Sequence, residues 1–84
     1  MSRYERLIRR ILHGRADANI RFAELRALMR HLGFEERIRG SHHLYRKEGV
    51  AEKLNLQRDD GNAKPYQVRQ VRQLILRYKL AKDE

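Results

Sequence analysis

The period of the apolar residues changes at Gly33, and this change limits the folds open to the chain. Before Gly33, apolar residues recur at the three- and four-residue spacing of amphipathic helices. After it they alternate at period two between glycine turns, as in short strands. The helical spacing returns beyond Pro65. The resulting order, α-α-β-β-β-α, predicts an α+β fold in which helices pack on one face of a small three-stranded antiparallel sheet.

The first helix has a clear start and a clear end. Ser2 followed by Glu5 three residues later is the pattern of a capping box, and Gly14 is placed to end the helix. Such a short helix is marginal in water, so we expect it to dock on the chain's own core. The apolar stripe that would dock consists of Tyr4, Leu7, Ile8, Ile11 and Leu12.

Two more helices follow from the same reasoning. A polar connector, Gly14–Asn19, leads to a helix from about Phe22 to Leu32. Pro65 favours the first turn of the last helix, where its missing N–H is not needed. The face of this helix expected to meet the sheet carries Val68, Val71, Leu74, Ile75 and Tyr78. The face expected to meet solvent carries Gln67, Arg69, Gln70, Arg72, Gln73 and Arg77.

The central segment predicts a three-stranded meander. The strands are expected at Phe34–Arg39, His43–Arg46 and Lys53–Gln57. The Gly40–Ser41 turn would join the first two, and Phe34 and Ile38 would share one face at period two. The segment Arg58–Lys64 is predicted to be a loop.

Size and charge narrow the class of protein. A chain of 84 residues predicts a single domain, 1–84, with the first helix and its connector at 1–19 and the remaining core at 20–80. Twenty Lys and Arg against eleven Asp and Glu give a net charge of +9, spread over both halves. A folded basic domain favours nucleic acid as partner over an acidic protein or a merely solvated surface. Without cysteine, a signal-peptide core or a long apolar run, a cytoplasmic location is expected.

The pair His42 and His43 invites a metal site or acid–base chemistry. Neighbouring side chains of a strand point to opposite faces, so the two rings are poorly placed to share one ion, and we predict no metal and no cofactor. Histidine has an ordinary pKa of about 6.5, which suits proton transfer during RNA phosphodiester cleavage. From spacing alone, the alternative that both rings only pack or contact phosphate stays open.

Three stretches resemble the HicA family of bacterial messenger-RNA-cleaving toxins, over about Ile20 to Leu80. They are Leu-Gly-Phe (Leu32 to Phe34), Gly-Ser-His-His-Leu-Tyr (Gly40 to Tyr45) and Lys-Pro-Tyr-Gln-Val-Arg-Gln-Val-Arg-Gln-Leu-Ile (Lys64 to Ile75). The resemblance implies an α-β-β-β-α fold like a double-stranded-RNA-binding domain. It also implies endoribonuclease activity without metal, a catalytic role for His42, and a HicB-like antitoxin that covers this histidine.

The chain departs from that family's pattern in two places. The helix from Ser2 to His13 is extra to the short members. Many members carry a further histidine after a proline near the third strand, where this chain has Asn-Leu-Gln-Arg-Asp-Asp. The second proton-transfer group therefore stays open among His43, Lys64 and Tyr45.

The remaining candidate residues are assigned to RNA. Phosphate contacts are expected from Arg39, Ser41, Arg46, Lys47, Lys64 and Arg69. Tyr45 is expected either to stack on a base or to fill the sheet. Two alternatives remain: a non-catalytic module that binds duplex RNA, and a membrane-surface role for the basic first helix. The expected assemblies are a homodimer or a toxin–antitoxin hetero-oligomer, and the sequence does not decide between them.

Overall fold

The computed structural model describes residues 2–81, and its helices and strands form an α+β fold, as predicted. The helices are α1 (Arg3–His13), α2 (Phe22–His31) and α3 (Pro65–Tyr78). The strands are β1 (Glu35–Arg39), β2 (His42–Arg46), β3 (Leu54–Leu56), β4 (Arg58–Asp59) and β5 (Asn62–Ala63). Within 2–81 no helix is long and apolar enough to cross a bilayer.

The main sheet has the antiparallel strand order β1-β2-β3, as the glycine turns predicted. Arg39 pairs with His42, so Gly40 and Ser41 alone form the turn between β1 and β2. Gly40 has a φ of +58°, and Ser41 has a negative φ. Positive φ at the first turn position alone is what a type II′ turn requires, and glycine adopts it without a steric cost. The strand β2 consequently begins at His42, one residue earlier than predicted.

The α1 helix packs on α2 and α3, which confirms docking within the chain. Its capping box forms as predicted between Ser2 and Glu5. Leu7 and Ile11 are buried in the core, so this apolar face is covered by protein and is not available to a lipid surface. Leu12 is 37% exposed, although its neighbour Ile11 in the same turn is fully buried, and its predicted burial is wrong.

The core lies between the helices and one face of the sheet. It includes Leu7, Ile11, Ile20, Phe22, Leu25, Leu28, Met29, Phe34, Tyr45, Leu54, Leu56, Val68, Val71, Leu74 and Ile75. Ile38 lies on the same face of its strand as Glu36 and is 52% exposed, whereas Phe34, which was predicted to share its face, is buried. It pairs with His43 near the turn end of β1, which is an edge strand of the sheet.

The predicted loop Arg58–Lys64 contains a small hairpin instead. Asp60 and Gly61 both have positive φ, +54° and +86°, as a type I′ turn requires. The hairpin is held to the chain before α2, because Ala63 N–H donates to the Ile20 carbonyl at 2.8 Å and Phe22 N–H donates to the Gly61 carbonyl at 3.1 Å. The Asp-Gly pair is the sequence signal that could have predicted it.

Two residues assigned to the solvent face of α3 lie elsewhere. Gln67 has no exposed surface, because its amide binds the edge of β3. Arg72 is largely buried and paired with Asp17. The other four residues of that predicted face, Arg69, Gln70, Gln73 and Arg77, are exposed as expected.

Candidate functional site

The face of the main sheet that points away from the helices is open and basic. Residues paired across antiparallel strands point to the same side, so the register identifies the members of this face. They are Glu35, Arg37, Arg39, His42, Leu44, Arg46 and Asn55. We call this set the outer face. Its three arginines, one glutamate and one histidine make it a surface that attracts anions.

His42 lies at the turn end of the outer face. It is the first residue of β2, it is exposed, and Arg39 is its direct partner in the register. Residues directly opposite in an antiparallel pair hold their Cβ atoms about 5 Å apart. One phosphate group can therefore reach the imidazole and the guanidinium together.

Asn55 of β3 contacts the His42 ring from the neighbouring strand. Its amide Nδ2 lies 3.1 Å from His42 Nδ1, and its Oδ1 lies 3.2 Å from the same nitrogen. Among residues 2–81, Nε2 of His42 has no hydrogen-bond partner. Sequence reasoning missed Asn55, although its position between Leu54 and Leu56 already placed it on the face opposite those two leucines.

Gln67 of α3 holds the free edge of β3. Its Nε2 donates to the Asn55 carbonyl at 3.1 Å, and its Oε1 accepts from the Gln57 N–H at 3.2 Å. A side-chain amide has the same donor and acceptor as a peptide unit. Gln67 thus pairs with this edge as one peptide of a further strand would.

His43 points to the opposite face of the sheet from His42. Its side chain is only 12% exposed, and its ring meets the edge of Phe22 with 4.9 Å between centroids. Its Nδ1 lies 3.6 Å from a Glu36 carboxylate oxygen, beyond hydrogen-bond distance. The two histidines therefore do not reach the same phosphate, so the structure does not bring His43 to the His42 site.

Tyr45 lies on the face of the main sheet that packs against the helices. Of its two predicted roles, stacking on a base or filling the sheet, it takes the latter. Its ring is 1% exposed, so it fills the sheet and is not available to stack on a base. Its hydroxyl donates to Glu36, which Arg26 of α2 also binds through two hydrogen bonds of 2.8 and 3.0 Å. Burial, and then the bond to Glu36, raise the pKa of Tyr45, which makes its buried hydroxyl a weaker acid than that of an ordinary tyrosine.

Glu36 is held as a carboxylate by these contacts. The hydrogen bonds from Arg26, followed by the one from Tyr45, lower the pKa of Glu36 from 4.5 to about 2, against an opposing effect of burial. The same ion pair raises the pKa of Arg26. This cluster joins α2 to β1 and β2 beneath the outer face, and its role is structural.

The other predicted RNA contacts are spread over several elements. Arg39, Ser41 and Arg46 lie on or beside the outer face, and all three are exposed. Lys47 directly follows β2, while Lys64 and Arg69 lie at the start of α3. Sequence reasoning missed Arg37, which pairs with Leu44 on the outer face and is also exposed.

Within the described range, 2–81, no group of three or more His, Asp or Glu side chains is arranged to hold a metal ion. No family model, no curated protein and no solved structure matches the chain.

Proposed function

We propose that the protein is a HicA-like endoribonuclease toxin that cleaves messenger RNA without a metal ion. The observation that carries this proposal is the position of His42, exposed on the outer face with Arg39 directly opposite. The sequence supports it independently, since Gly40 to Tyr45 carries the motif by which the chain resembles that family.

The fold supports an RNA substrate. A helix, a three-stranded antiparallel meander and a final helix follow one another from Phe22 to Tyr78. This is the order of a double-stranded-RNA-binding domain, and we propose that 20–80 belongs to that class, with α1 and the β4–β5 hairpin as additions. Domains of that class bind RNA through phosphates and 2′-hydroxyls rather than through base edges.

His42 and Arg39 have different roles in the proposed cleavage reaction. Nε2 of His42 takes the proton from a 2′-hydroxyl, the 2′-oxygen forms a bond to phosphorus, and the bond from phosphorus to the 5′-oxygen breaks. Arg39 stabilises the negative charge that develops on the phosphoryl oxygens. Because His43 lies on the other face and Tyr45 is buried, the leaving 5′-oxygen takes its proton from Lys64, the remaining candidate, or from solvent.

The flanking arginines hold the RNA backbone. Arg37 and Arg46 extend the basic outer face beyond the His42 and Arg39 pair, and guanidinium groups bind phosphate through two parallel hydrogen bonds. Lys47, Lys64 and Arg69 are proposed as further phosphate contacts along the same chain of RNA.

A HicB-like antitoxin is the proposed protein partner. Covering the outer face would block His42 and the phosphate-binding arginines together. A surface with this charge is matched by an acidic partner surface, which also speeds association.

The outer face also supports an alternative, a non-catalytic RNA-binding module, because phosphate binding needs only the arginines. Cleavage assays with purified full-length protein in excess chelator separate the two. We expect the wild type to cleave messenger RNA and His42→Ala to lose about 100- to 10,000-fold in rate. His13→Ala, at the exposed end of α1, is the matched control and should cleave as the wild type does.

The fold of each variant is checked by its melting temperature, which should not change because His42 is exposed. Cleavage by His42→Ala within a few-fold of the wild type would rule out the proposed mechanism. Salt-dependent RNA binding by a wild type that does not cleave would establish the alternative.

A further inference from the structure

We propose that Asn55 is a positioning residue for His42, and that Gln67 in turn fixes Asn55. In this arrangement Asn55 Oδ1 accepts a hydrogen bond from His42 Nδ1–H, which leaves Nε2 as the nitrogen that takes the proton. The catalytic consequence rests on the proposed function, whereas the arrangement itself can be tested without any activity.

The chemistry of imidazole decides between the two orientations of the amide. If Nδ2 of Asn55 donated to His42 Nδ1, the neutral ring would carry its proton on Nε2, and Nε2 could not act as a base. If Oδ1 accepts instead, the proton lies on Nδ1 and Nε2 has a free lone pair. The second contact also persists once Nε2 is protonated, since the imidazolium still donates from Nδ1. Both amide atoms lie within 3.2 Å of Nδ1, so the distances permit this orientation.

An amide suits this face better than a carboxylate. A carboxylate at position 55 would orient the ring equally well and would also stabilise the imidazolium. It would, however, place a negative charge beside the phosphate that Arg39 is proposed to bind. Asn55 fixes the ring and leaves the charge of the outer face unchanged.

Gln67 supplies the rigidity that Asn55 needs. β3 is an edge strand of only three residues, and edge strands of this length are prone to local opening. The Gln67 amide binds both the Asn55 carbonyl and the Gln57 N–H from a fully buried position on α3. The direction of the Asn55 side chain follows from its backbone, so this clamp holds the amide against the His42 ring.

The test is the tautomer of the His42 ring, observed by long-range 1H–15N NMR on full-length protein at a pH where the ring is neutral. We expect the wild type to carry its proton on Nδ1, although a histidine in water favours Nε2. Asn55→Ala should return the ring to the Nε2–H form. Asn55→Asp should keep the Nδ1–H form and move the titration of His42 to higher pH, because a carboxylate stabilises the imidazolium.

Gln67 is tested in the same spectra against an exposed residue of the same helix. Gln67→Met should shift the His42 ring towards Nε2–H at temperatures where the protein is still folded, and Gln70→Met should not. A wild-type ring in the Nε2–H form, or an unchanged ring in Asn55→Ala, would overturn the role of Asn55. A Gln67→Met spectrum identical to that of the wild type would overturn the role of Gln67.

RNA cleavage separates this inference from the function on which it rests. We expect Asn55→Ala to lose roughly 10- to 100-fold in rate, by analogy with the removal of a partner that orients a metal-bound histidine, with RNA binding retained. Asn55→Asp should recover part of the rate with its pH profile moved to higher pH. If the His42 ring is in the Nδ1–H form but the protein does not cleave RNA, the positioning role of Asn55 is supported and the proposed function is refuted. If the protein cleaves RNA with the ring in the Nε2–H form, the proposed function is supported and the positioning role is refuted.

Discussion

Arg72 binds Asp17 through two parallel hydrogen bonds of 3.0 and 3.1 Å, although 55 residues separate them along the chain. Nη1 of Arg72 also donates to the Ile11 carbonyl near the end of α1 at 2.8 Å. One side chain of α3 therefore fixes both the first helix and its connector. Because the Arg72 and Asp17 side chains are less than one fifth exposed, solvent screens this pair only partly.

Replacement of Arg72 should destabilise the protein. Arg72→Met leaves the Asp17 carboxylate without its partner, so we expect the free energy of unfolding to fall by about 2 to 3 kcal/mol. Urea denaturation measures this change. Arg69→Met, on the exposed side of the same helix, should alter it by less than about 0.5 kcal/mol. Equal effects of the two substitutions would show that the ion pair does not hold α1.

The buried residues of α1 should contribute more to the free energy of unfolding than its exposed residues. Ile11→Ala removes a fully buried side chain and should cost about 2 to 5 kcal/mol. Leu12→Ala, one residue further along and partly exposed, should cost much less.

Deletion of residues 1–14 should lower the melting temperature even of the monomer. A truncated chain that melts like the full-length protein but fails to bind a partner would make α1 an interface element instead.

Stability should depend on Glu36 at acid pH. Its pKa is about 2 in the folded protein against 4.5 when unfolded. Because the folded pKa is the lower one, this stabilisation is complete above about pH 4.5 and is lost as the pH falls towards 2. At 1.4 kcal/mol per unit, the loss is on the order of 3 kcal/mol.

Urea denaturation between pH 2 and pH 6 tests this dependence. Glu36→Gln should be less stable than the wild type at pH 6, and its stability should change less on acidification. Glu35→Gln is the matched control, since Glu35 is the exposed neighbour on the same strand, and it should follow the wild-type curve. If the stability of Glu36→Gln changed with pH in parallel with that of the wild type, the loss of stability at acid pH would not be due to Glu36.

RNA affinity should fall with salt through the outer-face arginines. Each phosphate contact contributes about 0.7 to 0.9 to the slope of log affinity against log salt. Arg37→Ala, Arg39→Ala and Arg46→Ala should each lower the slope by about that amount and weaken all RNA sequences alike. Lys64→Ala should do the same if the RNA extends to α3.

Arg9→Ala is the control for this series, because Arg9 is exposed on α1. It should leave the slope unchanged. A slope that responds to Arg9, or to its neighbours Arg3 and Arg6, but not to Arg39 would place the RNA on α1.

Local rules predicted most of the elements. The capping box of Ser2, the start of α3 at Pro65 and the turn at Gly40 each depend on residues within a few positions of one another, so the sequence contains the information. The β4–β5 hairpin also depends on neighbouring residues, since Asp60 and Gly61 form its turn. It was missed because its strands are only two residues long and show no alternation of apolar and polar residues.

By itself, the sequence determined the order of the elements and required His42 and His43 to point to opposite faces, because strand geometry alternates regardless of context. Only the tertiary structure decided that Phe22 covers His43, so that His42 is the exposed ring. It also decided that the side chains of Gln67 and Arg72 are buried, although their positions on α3 are compatible with exposure to solvent. Their partners come from distant parts of the chain, and no local pattern records a contact that forms only when the helices and the sheet pack together.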